Sequence, residues 1–93
     1  MKYIIEIEKS GISLALDDVK SEEELEKFLY DFENNTTNAI DSNVNKTITS
    51  QGNLQYTVKY HIDGLYLSHP DEFLSLTYSS MRLMGWGEEF PPK

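Results

Sequence analysis

Leu54-Gln55-Tyr56-Thr57-Val58-Lys59-Tyr60-His61-Ile62 alternates apolar and polar residues without a break. A period of two puts Leu54, Tyr56, Val58, Tyr60 and Ile62 on one side and Gln55, Thr57, Lys59 and His61 on the other. The stretch therefore reads as a strand in a sheet with one covered face and one wet face. Upstream, Thr47-Ile48-Thr49-Ser50 enters it through Gln51-Gly52-Asn53 as a preceding strand. Downstream, Asp63-Gly64 is a preferred two-residue hairpin turn, returning through Leu65-Tyr66-Leu67.

Working outward, residues 2–8 and 12–17 form a second hairpin around Lys9-Ser10-Gly11, with Gly11 expected to supply the positive φ of a tight reversal. Tyr3, Ile5 and Ile7 share its covered face with Leu14 and Leu16, and Glu6, Glu8, Ser13 and Asp17 face solvent. Ser21-Glu22-Glu23-Glu24 is a capping box, with Ser21 accepting from the Glu24 amide and Glu24 reaching back to the Ser21 amide. The helix it opens carries Leu25, Phe28, Leu29 and Phe32 on one face and ends near Asn34. Residues 34–45, with five Asn, read as a long loop with Ile40 and Val44 as tethers. The Asn-x-Thr triplets at Asn34, Asn35 and Asn45 read as plain loop residues. Ser68-His69-Pro70 starts a second helix over roughly 70–84. Its polar stripe (Glu72, Ser75, Ser79, Arg82) is narrow, and Gly85 stops it. The order ββαβββα predicts one α+β domain over residues 1–87, an antiparallel sheet of about five strands with two helices on one face, and a tail at 88–93.

Ninety-three residues with 39% hydrophobic content suffice for one core. Sixteen acids against eight Lys and Arg leave a net charge of −8, which disfavours direct contact with nucleic acid or an anionic membrane. The absence of cysteine removes thiol nucleophiles, disulfides and cysteine metal sites. Glu6 and Glu8 interrupt the amino terminus before a secretion signal develops, so a cytoplasmic location, in a bacterium or a phage-infected cell, is the expectation.

Catalytic motifs are missing: the sequence has no Gly-rich phosphate loop, no G-x-S-x-G and no H-E-x-x-H. His61, Asp63, His69, Asp71 and Glu72 are the best metal-like grouping, and their spacing matches no ligand signature, so neither a metal nor a cofactor is expected. Paired acids such as Asp17-Asp18 and Glu88-Glu89 carry no catalytic information by adjacency alone.

The informative feature is where the charge lies. Residues 1–41 hold eleven acids and four lysines, net −7, against five acids and four cations, net −1, in residues 42–93. The first helix carries six acids along about 20 Å. A solubilising face accounts for such a run as readily as a binding face does. Tyr30, on the polar side of that helix, has no core explanation and favours binding. Glu22, Glu23, Glu26, Tyr30, Asp31 and Glu33 are therefore the expected contact surface for a basic protein or nucleoprotein complex. The broad apolar girth of the second helix makes Tyr78, Met81, Met84 and Trp86 a candidate homodimer interface. Trp86 also reads as a ring folded back onto the helix it follows.

In size, acidity and lack of catalytic residues the chain resembles the small inhibitors of bacteriophages, including anti-CRISPR proteins and DNA mimics, and bacterial toxin-immunity proteins. The resemblance implies a non-catalytic inhibitor that occupies a partner's basic surface, and it assigns no residue. A toxin-immunity protein, a self-associating structural module and a small metal-dependent enzyme are the alternatives.

Overall fold

The computed structural model describes residues 1–8, 11–36, 44–62 and 69–86. Strands β1 (Lys2–Glu8), β2 (Gly11–Asp17), β3 (Val44–Gly52) and β4 (Gln55–Ile62) form one antiparallel sheet in the order β1-β2-β4-β3. The α+β class is as expected, with four strands in place of five. The expected strand at Leu65–Leu67 lies outside the described residues, as do the Asp63-Gly64 turn, Lys9-Ser10, Ile40, Ser68 and the tail at 88–93. No helix among the described residues is long and apolar enough to cross a membrane.

Register follows the alternation. Tyr3, Ile5 and Ile7 pair with Leu16, Leu14 and Ile12, which in turn oppose Tyr56, Val58 and Tyr60. One face of the three strands is thereby apolar throughout, while Glu6, Ala15, Lys59 and His61 stay exposed on the other. Gly11 has a different task from the one its sequence context suggests. It sits inside β2 opposite His61, where a Cβ would run into the Tyr60 carbonyl oxygen, so glycine is required for close backbone approach. Leu54 also departs from expectation. With Asn53 it forms the two-residue connection between Gly52 and Gln55, both residues at positive φ (51° and 61°), and it leaves the strand.

Helix α1 (Glu22–Asn35) is capped as its sequence demands, Glu24 N–H donating to Ser21 Oγ at 3.2 Å. The reciprocal bond differs by one residue, since Glu24 Oε2 accepts from the Lys20 amide at 2.6 Å rather than from Ser21. Leu25, Phe28, Leu29 and Phe32 are buried against the sheet and the second helix. Asn34 and Asn35 finish this helix and Asn45 pairs within β3, so none of the three is a loop residue.

Helix α2 (Pro70–Leu83) begins with proline in its first turn. It ends at Gly85 (φ 89°), with Trp86 N–H donating to the Met81 carbonyl and Gly85 N–H to that of Arg82. Tyr78 fixes the helix over β1: its hydroxyl accepts from Ile5 N–H at 2.7 Å and donates to the Ile5 carbonyl at 3.1 Å, while its ring stacks on Tyr3. Tyr78 and Met81 are therefore core residues at 1% and 0% exposure, and a dimer interface built on them is ruled out. The apolar residues that α2 leaves open are Leu76, Leu83 and Met84.

Candidate functional site

The placement of the helices leaves one strand bare. A helix covers about two strands, since its diameter is about 10 Å and strands lie about 4.8 Å apart. With α2 drawn to the β1 edge by Tyr78, α1 takes the middle of the sheet and β3 is uncovered beyond Val44, its first residue, which packs half-buried on the core instead of tethering a loop. Its helix-side residues Lys46, Ile48 and Ser50 are all exposed, although they share a face with the buried Tyr60 and Val58.

Between the uncovered strand and α1 runs an open groove of about 610 Å³. Leu25 and Leu29 form its α1 side, Ile48 and Tyr56 its sheet side, and Tyr30 stands over it, 67% exposed. Glu22 and Glu26, one helical turn apart, line its lip. Glu33 closes one end through an ion pair with Lys46 at 3.3 Å, and the Lys46 ammonium lies 6.0 Å from the Tyr60 ring centre.

Beneath that ion pair the Tyr60 hydroxyl is buried, and no acceptor meets it in good hydrogen-bond geometry. Burial first, and then the neighbouring Glu33 carboxylate, push its pKa above the ordinary 10.0. At neutral pH this corner of the groove holds an anion, a cation and a protonated phenol.

Sequence reasoning placed six residues on one contact surface, and the structure separates them. Glu22, Glu26, Tyr30 and Glu33 line the groove, whereas Glu23 is exposed outside it. Asp31 is engaged internally: its Oδ2 accepts from the Trp86 indole N–H at 2.8 Å and from Lys27 at 3.2 Å, leaving its side chain 13% exposed. Trp86 packs edge-on against Phe28, 5.3 Å between ring centres, and so belongs to this internal clamp. Asp31 is turned inward, Glu33 is paired with Lys46 and Glu24 accepts from the Lys20 amide, so three of the six carboxylates of α1 are engaged within the chain.

Lys46, Ile48 and Tyr56 complete the groove and were not singled out as site residues. For Lys46 and Ile48 the signal was present in β3: after Val44 its inward positions read Lys46, Ile48, Ser50, too polar for a covered strand. Among the described residues no three His, Asp or Glu side chains gather as metal ligands; His61 and His69 are exposed, and Asp63 is outside the described residues. No family model, curated protein or solved structure matches the chain.

Proposed function

We propose that the chain is a non-catalytic binding module whose α1–β3 groove holds a basic, partly apolar segment of a partner protein, inhibiting the partner by covering that segment. The observation that carries this reading is the union of exposed Tyr30 and Ile48 with Glu22 and Glu26 on one concave surface. Apolar residues at a surface cost solubility unless something covers them, and the two carboxylates on the lip, which meet no described cation, select an occupant of positive charge. Aromatic and aliphatic contacts would set how long the complex lasts, and the net −8 of the molecule how fast it forms.

A titration with an amphipathic peptide rich in Arg and Leu, followed by NMR at Tyr30 and Ile48, tests the proposal. Perturbation should concentrate at these two residues. The double variant Glu22→Lys/Glu26→Lys should weaken binding at least about tenfold at low salt, a loss of about 1.4 kcal/mol. Glu23→Lys alters the charge just as much per residue but stands outside the groove, and should have a much smaller effect. Equal losses per substituted carboxylate would show that overall charge, and not the groove, attracts the peptide.

A further inference from the structure

The two edges of the sheet are unlike. At β1 the hydroxyl of Tyr78 satisfies both backbone groups of Ile5 that point away from β2. That contact also fixes the direction of every backbone group in the sheet. In an antiparallel pair opposite residues turn their N–H and C=O either both toward or both away from each other. Ile5 faces out, so its partner Leu14 faces β4; Val58, opposite Leu14, faces β2; and Ile48, opposite Val58, faces out of the sheet beyond β3. By the same alternation Val44, Lys46 and Ser50 face out as well. Among the described residues no backbone group meets them.

Open edges are normally guarded by an inward charge, a proline or a bulge. Here Lys46 is held back on Glu33, and the irregularity in pairing lies at the far end, between Ser50 and Gly52. Among the described residues nothing else guards the middle of the strand.

Charge selects what can approach. Residues 44–62 contain two lysines and no acid, net +2, in a molecule of net −8. Two copies that met through α1 would bring their carboxylates into contact; two that met through β3 keep the α1 helices apart, on opposite sides of the joined strands. We propose that β3 pairs antiparallel with β3 of a second copy about a two-fold axis at Ile48, joining the sheets into one of eight strands. This register opposes Ile48 to Ile48 of the second copy, Lys46 to Ser50 and Thr47 to Thr49, so no like charges face each other. It also covers part of Ile48, which is 45% exposed in the single chain. The second copy gives the groove the far wall it lacks: a valley floored by the two β3 strands with an α1 helix on either side. Pairing concerns the chain alone and stands whether or not the groove binds a basic segment.

Sedimentation equilibrium of the full chain, without any ligand, should show the mass rising from 10.7 kDa toward twice that value with concentration. Ile48→Pro removes an N–H that the single chain does not use. It should abolish dimerisation while leaving the circular dichroism of the monomer intact. Against the chance that proline perturbs folding, separate Thr47→Cys and Thr49→Cys variants give an independent reading in a chain with no cysteine of its own. Thr47 and Thr49 of the two copies form a non-hydrogen-bonded pair with Cα atoms about 4.5 Å apart, within disulfide reach. Oxidation of the mixed variants should give the 47–49 heterodimer in excess over either self-linked dimer. A mass fixed at 10.7 kDa up to the highest soluble concentration overturns the proposal. So does a dimer that survives in folded Ile48→Pro, or cross-linking without preference for the mixed pair.

Discussion

Two tyrosine hydroxyls, both buried, have opposite energetic signs. Tyr78 serves two backbone groups of β1, whereas the Tyr60 hydroxyl lacks a well-aligned partner. Removing a partner from buried polar groups costs about 1–3 kcal/mol each, but removing an unsatisfied hydroxyl relieves a cost. In urea unfolding at pH 7, Tyr78→Phe should therefore destabilise the protein by at least about 2 kcal/mol and Tyr60→Phe stabilise it by up to about 1 kcal/mol. Alkaline pH separates them further. Because folding raises the Tyr60 pKa above 10.0, the folded state keeps a proton that the unfolded chain loses. The stability linked to Tyr60 is whole below pH 10 and declines above it, by up to about 1.4 kcal/mol per pH unit. Tyr60→Phe should flatten that decline; an alkaline limb identical to wild type would mean that Glu33 and burial do not hold this proton.

Among the elements, the β3–β4 hairpin carries an internal conflict. Its two-residue connection requires positive φ twice, and Asn53 tolerates this while Leu54 does not. Leu54→Gly produces the preferred Asn-Gly pair and should raise stability by about 1 kcal/mol, read as a higher midpoint in urea with an unchanged slope. The Val19 amide, which donates to the Leu54 carbonyl at 3.0 Å, keeps its acceptor because only the side chain is removed. A loss of stability would mean that the half-exposed Leu54 side chain contributes more packing than its backbone costs. The same hairpin marks how far sequence reading reaches. Strand β4, the capping box and the apolar face of α1 were legible because periodicity and capping are local. Leu54 continued the alternation and was read as strand, since a pattern of side chains does not reveal the sign of φ. Which edge stays bare was illegible for another reason: it depends on Tyr78 finding Ile5 and Trp86 finding Asp31, contacts 73 and 55 residues apart. That Glu22, Glu26, Tyr30 and Glu33 lie along one surface was legible because they share one helical stripe. The inward turn of Asp31 was not legible, because the indole that holds it comes from the other end of the chain.

Across the whole molecule, charge opposes compaction. A net −8 is confined to a radius of gyration of 12.5 Å, and the β3–β4 ribbon contributes +2, so the remaining residues together hold −10. Lys27–Asp31 and Lys46–Glu33, ion pairs among the described residues, are exposed at one or both partners and contribute at most about 1 kcal/mol each. Salt acts on both terms. Raising ionic strength from about 0.01 M to about 0.15 M shortens the screening length from about 30 Å, beyond the size of the domain, to about 8 Å, so that distant carboxylates no longer repel. Contacts at 3 Å are weakened far less by the same change. The melting temperature, measured at a concentration low enough to keep the chain monomeric, should therefore rise with sodium chloride over this range. Glu23→Gln removes an exposed charge outside both ion pairs and outside the groove. It should raise the melting temperature at low salt and reduce its dependence on salt. A melting temperature that falls as salt is added would mean that the paired charges outweigh the unpaired ones, and that the acidity of α1 is stabilising in its own right instead of being tolerated for the sake of a partner.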